Sequence, residues 1–176
     1  MRADYSDTLP LIEMAEGLCK PLQVNREGLS EQDSAVQQEL EEQLRMIHFH
    51  RGALAHHTNE PKMALTNYKT FNRLLREQLG ETPDQRLGVA LNELGVAYLQ
   101  NNNAAKAEKC LRESITILET VTDATENTPN SISMPMINLG FVLWVQGRQD
   151  EAAAVFERTL AAREEAYGVN DTKSFA

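Results

Sequence analysis

The sequence predicts an all-α fold made of stacked antiparallel helix pairs. Three observations carry that expectation. Helix-forming residues dominate and runs of β-branched residues are missing. Apolar residues recur at helical spacing, as in Leu91, Leu94, Ala97 and Tyr98, then Leu111, Ile115 and Leu118. Finally, one pattern occurs three times: Gly52, Gly95 and Gly140 are separated by 43 and 45 residues. Each is followed 12 residues later by a small residue (Ala64, Ala107, Ala152) and 4 further on by a large one (Tyr68, Leu111, Phe156). A glycine inside a helix costs roughly 1 kcal/mol against alanine. Its recurrence predicts that a second helix approaches closely there, with Ala107 as the expected contact of Gly95.

The elements follow in order. Residues 1–8 read as an unstructured lead-in, and Leu9 to Leu22 as a short helix with Ile12, Ala15, Leu18 and Cys19 inward, stopped near Pro21. A polar link, Gln23 to Gly28, leads to a long helix from Glu31 to about Thr58. Asn59-Glu60-Pro61 breaks it, with Pro61 suited to the first turn of the next helix. That helix turns Ala64, Tyr68, Phe71, Leu74 and Leu75 inward and ends by Gly80 and Pro83. Asp84 is placed to cap the following one. Asn101-Asn102-Asn103 predicts a turn, because short amides compete for the backbone and tolerate left-handed geometry. The link TDATENTPNS ends at Pro129-Asn130, MPMINLGFVLWVQG forms another first helix, Gly147-Arg148 turns, and Glu151 to Tyr167 is its partner.

Composition removes several classes of function. A net charge of −9 argues against nucleic acid, whose phosphates need a basic stripe. No stretch reaches the apolar length of a membrane span, and the first residues lack a signal pattern. The 2 cysteines, Cys19 and Cys110, make no disulfide framework, which implies a reducing, cytoplasmic setting. There is no phosphate loop, nucleophile elbow or metal-ligand motif, so neither catalytic residue nor cofactor is expected.

The order Leu-Gly, Tyr, Ala, Leu within ALNELGVAYLQNNNAAKAEKCLRESI resembles the tetratricopeptide repeat signature. The 43- and 45-residue periods exceed the usual 34. They are similar to the longer-helix variant of kinesin light chains and of arrays attached to signalling NTPases. LAAREEAYGVNDTKSF resembles the helix end and linker between such repeats. The likeness spans Arg45 to Phe175, and Arg51, where the pattern wants leucine, makes the first unit its weakest match. It implies a right-handed superhelix of about three helix pairs plus an N-terminal helix. The divisions are 1–30 for lead-in and helix, 31–168 for units at about 31–80, 84–125 and 131–168, and 169–176 for a tail or the start of a further repeat.

The resemblance further implies that the first helix of each unit lines a concave groove that binds a peptide segment or helix. Carried onto this chain, the groove shows Phe49, His50, Ala53, His56 and His57 from the first unit. The second offers Asn92, Glu93, Val96, Leu99 and Gln100, and the third Met134, Ile137, Asn138, Phe141, Trp144 and Val145. Asn92 and Asn138 can each donate and accept, so they suit the backbone of an extended peptide; equally, they can bridge neighbouring helices. Trp144 is either a partner anchor or core against a neighbouring unit. The cationic clamp that holds a peptide carboxylate in chaperone cochaperones is missing, since Phe49, Ala53, Glu93, Met134 and Asn138 stand in those places. All 4 histidines (His48, His50, His56, His57) fall within ten residues, but a seven-residue separation rises about 10.5 Å, too far for one ion.

These features predict a non-enzymatic scaffold with a protein or peptide partner. The alternative is a small-molecule-binding or catalytic repeat protein that uses the same groove. Asn170 to Ala176 reads as the opening of another repeat, which leaves the third unit without a polar cap. A longer array, self-association through that end, or a tail folded back would each supply one.

Overall fold

The computed structural model describes residues 31–122 and 129–167, together with Pro10, Glu13, Met14 and Gly17. Those four are helical; the rest of the predicted N-terminal helix, with Cys19, lies outside the described residues, as do the link at 123–128 and the tail at 168–176. Six α-helices and no strand occur among the described residues: α1 (Glu31–His57), α2 (Pro61–Leu79), α3 (Gln85–Gln100), α4 (Ala104–Thr122), α5 (Pro129–Val145) and α6 (Gln149–Tyr167). The chain forms two compact units, residues 1–75 and 76–176.

In the first unit, the α1–α2 pair closes on Tyr68 and Phe71, both buried, with the Phe49 ring 5.9 Å from that of Tyr68 and 5.2 Å from that of Phe71. Ile47 gathers Leu40, Leu44 and Leu54. Arg45 is buried beside Glu42, with which it pairs.

The second unit holds the principal core. Ala107, Leu111, Leu139, Val142, Leu143 and Ala152 are all buried in one cluster, and Tyr98, Leu99, Ile115, Val155 and Phe156 pack against it. Two features of the pattern predict this cluster: the recurring alanine and the large residue four positions on.

The glycines explain how closely the pairs approach. A Cβ added to Gly95 would lie 2.8 Å from Leu111 Cγ and 3.4 Å from the Ala107 carbonyl oxygen. One added to Gly140 would lie 2.4 Å from the Phe156 ring, and one on Gly52 2.8 Å from the Tyr68 ring. The expected close approach is present, but its main occupant is the large residue rather than Ala107. The alanine is small so that the helix backbone can come near, and the large side chain then fills the space where the glycine has none. Gly88, seven residues before Gly95, meets Leu118, seven after Leu111, at 2.5 Å. The same interlock is therefore repeated one heptad along the antiparallel pair. The missing side chain also opens the Gly88 carbonyl, which accepts a 2.6 Å hydrogen bond from buried Ser114.

The turns share one device. Asn59 (φ 62°), Asn102 (φ 58°) and Gly147 (φ 79°) are each left-handed and each seven residues after the pair's glycine. Asparagine and glycine are the residue types that enter this region at least cost. Asn103 Oδ1 then accepts from Lys106 N (3.1 Å) at the start of α4. Asp84 caps α3 as expected, its carboxylate accepting from Arg86 N at 2.7 Å. Helix α5 begins at Pro129, where the sequence reading ended a link, because a proline at the first helical position lacks only an N–H that would be unpaired anyway. Pro135 is carried inside α5 and is fully buried.

Two outcomes test this packing. Gly95→Ala gains roughly 1 kcal/mol of helix propensity but overpacks against fully buried Leu111, at a cost of about 1–3 kcal/mol. A net loss of stability in urea unfolding is expected, and a Leu111→Ala background should make the same substitution neutral or stabilising. The second concerns Asp84, whose carboxyl is held below its ordinary value chiefly by the hydrogen bond from the Arg86 side chain. A lowered carboxyl stabilises the fold at pH above its unfolded value, and that contribution fades as pH falls through the folded one. Asp84→Ala should therefore cost about 1 kcal/mol near neutrality and progressively less in acid unfolding below about pH 4.

Candidate functional site

Within the second unit, α3 and α5 lie side by side, and each presents a stripe that the core does not use. On α5 the stripe is Met134, Asn138, Phe141 and Val145, at i, i+4, i+7 and i+11. Met134, Phe141 and Val145 are 53%, 51% and 58% exposed. On α3 the same positions, 45 residues earlier, are Val89, Glu93, Val96 and Gln100. Val89 was not among the expected groove residues, yet its 45-residue offset from Met134 marks it, and it is exposed. Phe141 is steadied by an edge contact with Phe156, ring centroids 5.7 Å apart.

The two asparagines join the helices. Asn138 Nδ2 donates to Asn92 Oδ1 at 2.8 Å, and Asn92 Nδ2 donates to Glu93 Oε1 at 3.0 Å. Bridging of neighbouring helices, one of the two roles the sequence left open, is thus present. The residues are not equivalent, however. Asn92 is buried, so its amide is committed to the interior; Asn138 is half-buried, and its bond to Asn92 uses one of its two amide hydrogens. Glu93 and Val96 are half-buried beside them.

Trp144 is 58% exposed, so within the described residues it is no core residue. It lies beside the Met134–Val145 stripe, at the position corresponding to Leu99 of α3.

The expected residues of α1 are described within their own unit. Phe49 packs against Tyr68 and Phe71 and lies 5.8 Å from the His50 ring; His50 and His57 are exposed. His56 and His57 stack edge to face at 5.6 Å, while His48 Nδ1 donates to Asn67 Oδ1 at 3.1 Å. Among the described residues no three His, Cys, Asp or Glu side chains converge as a metal site would require.

The outer side of the α4–α6 junction is ionic. Arg148 donates to Glu108 (2.8 Å) and to Glu151 (2.6 Å), and Arg158 donates to Glu119 (2.8 Å). Burial pushes the Glu108 carboxyl up, but hydrogen bonds from Arg112, Arg148 and Gln146 outweigh it and hold the group low. Cys110 is half-buried, and burial, aided by Glu113, pushes its thiol up, away from the thiolate needed for nucleophilic chemistry. No helix among the described residues is long and apolar enough to cross a membrane.

Paired helices with a glycine–alanine–large interlock, stacked in register on the next pair, define an α-helical repeat protein. Residues 87–124 and 136–172 match the family model of the tetratricopeptide repeat. Both segments lie in the second unit, and together they support assignment of the chain to the tetratricopeptide repeat family. No curated protein matches the chain. Repeats of this family generally mediate protein–protein interaction and are typically non-catalytic.

If Asn138 serves the interior as well as the outside, Asn138→Ala should leave Asn92 Oδ1 buried without its donor. A loss of about 1–3 kcal/mol is expected, with Asn138→Asp no better, since a carboxylate cannot donate. Chemical unfolding of the three proteins is the check.

Proposed function

We propose that the α3–α5 face is a peptide-binding surface and that the protein is a scaffold rather than a catalyst. The observation that carries this reading is the stripe on α5, where three exposed apolar side chains flank one half-buried amide. An apolar stripe alone would bind any greasy surface. The amide of Asn138 adds selection for a segment that offers its own backbone C=O and N–H, as an extended peptide does. Phe141, held on edge by Phe156, supplies a rigid apolar contact at the centre, and Met134 can adapt its unbranched side chain to what docks there. Glu93 beside Asn92 disfavours a ligand carboxylate at that point and favours a neutral or basic one. A cytoplasmic setting agrees with the half-buried thiol of Cys110, which stays free.

A displayed library of random peptides, selected on the full chain and followed by calorimetry on the recovered sequences, tests the reading. Phe141→Ala should weaken the selected peptides by about tenfold or more. Asn138→Ser, kept folded by its small polar side chain, should weaken them roughly two- to tenfold. Lys109→Ala, on an exposed position of α4, should change nothing. Selected peptides that bind both groove variants as tightly as wild type would place the binding surface elsewhere.

A further inference from the structure

The 45-residue repeat brings a second exposed surface into view, on the side of α5–α6 turned away from α3–α4. The internal junction shows what such a side is for. There, Leu99 of α3 and Ile115 of α4 pack into the core shared with α5 and α6. A cleft of about 270 Å³ follows the same seam, with Arg112, Ile115, Thr116 and Glu119 on the α4 side and Met136, Leu139, Val155 and Arg158 on the other. The helix pair that sits on this face brings apolar side chains to Ile115 and a cation, Arg158, to Glu119 at 2.8 Å.

Advancing each α3–α4 residue by one repeat gives the corresponding face of the α5–α6 pair. Leu99 becomes Trp144, Ile115 becomes Leu160, Thr116 becomes Ala161, Glu119 becomes Glu164 and Arg112 becomes Glu157. Trp144 is 58% exposed and Leu160 42%, where Leu99 and Ile115 are packed. Glu157 is exposed and Glu164 half-buried, and neither has an ion-pair partner among the described residues. The apolar centre of the stacking face is thus kept in kind across one repeat, and its charge is not: at the positions of Arg112 and Glu119 one cation and one anion have become two anions, with half-buried Arg163 beside Glu164 in the chain.

We propose that this end face, centred on Trp144 and Leu160, receives an amphipathic helix whose apolar stripe is flanked by basic residues. The helix form follows from the internal junction, where helices fill the equivalent space. The small side chain of Ala161 lets a helix backbone come near, and the basic flanks answer Glu157 and Glu164 as Arg158 answers Glu119. A second copy apposed through the same face would set these carboxylates against each other. The surface differs from the Asn138–Phe141 stripe and does not depend on how that stripe is used.

Trp144 is the single tryptophan of the chain and reports directly on this face. The probe is a tryptophan-free synthetic helix of about 20 residues, with leucines at i, i+4 and i+7 flanked by lysines. A matched helix carries glutamates instead. Titrating the full chain with the lysine helix should shift Trp144 emission to the blue and protect it from acrylamide, saturably, while the glutamate helix should do neither. Glu157→Lys with Glu164→Lys should weaken the lysine helix by roughly tenfold and admit the glutamate helix. Asn138→Ser should leave the response unchanged. Equal responses to the two helices, or none to the lysine helix, would overturn the proposal. So would Trp144 emission that is already that of a buried indole in the protein alone, whether or not it varies with concentration, since the face would then be covered by the chain itself or by a second copy.

Discussion

The contact on which the second unit depends is the one between a glycine and the large side chain opposite it. Gly88 against Leu118, Gly95 against Leu111 and Gly140 against Phe156 leave no room for a methyl group. Each glycine gives up roughly 1 kcal/mol of helix propensity. In return two backbones come close enough for a leucine or phenylalanine to make its dispersion contacts on all sides. The seven-residue repetition of the contact along α3–α4 fixes the sliding register as well as the distance. Once that register is set, every other face of the helix has an assigned direction. Leu94 and Leu91 go to the core, Asn92 and Leu99 to the neighbouring pair, and exposed Val89 with half-buried Glu93 and Val96 to the remaining side. The candidate groove is what remains of α3 and α5 after the core and the junction have taken their sides.

The junction between the two pairs is built differently on its two edges. Its centre is apolar, Leu99 and Ile115 against Leu139, Val142 and Leu143, and supplies most of the attraction. On the groove edge the buried Asn92 amide is satisfied by Asn138, and a buried polar pair of this kind penalises any slip, because a displaced amide would be left without its partner. On the outer edge the bridges Arg148–Glu108 and Arg158–Glu119 lie in partial solvent, where such pairs contribute about 1 kcal/mol or less. They orient the pairs more than they hold them.

Much of this was legible in the chain itself, and for identifiable reasons. The glycine, alanine and large-residue spacing exposes the helix pairs, because it is a steric constraint that few other residues satisfy. Asn102 and Gly147 mark turns for a backbone reason that is equally local. The pattern could not say which residue fills the glycine's place, because Ala107 and Leu111 lie on the same side of α4 and distance alone separates them. Nor could it read Pro129 as a beginning, since proline and asparagine end links and open helices with the same chemistry. The amide bridge was hidden by an offset of one. Asn92 and Asn138 are 46 residues apart rather than 45, because facing helices meet through opposite flanks, so the residue touching Asn92 is not its repeat equivalent.

Trp144 shows where periodicity stops being informative. Its position is that of Leu99, which is packed because another helix pair lies beyond it; the pattern assigns Trp144 the same side of its helix and says nothing of what lies beyond. Charge carries information that periodicity lacks. Polar side chains at the two central positions would suit a face that meets water. The large apolar residues are kept, one of them enlarged to an indole, while the cation at the Arg112 position is replaced by Glu157. An apolar centre bordered by Glu157 and Glu164 is selective about what covers it, since a partner without matching cations leaves two carboxylates facing apolar surface. A partner seated here is therefore selected by its charge as well as by its apolar surface.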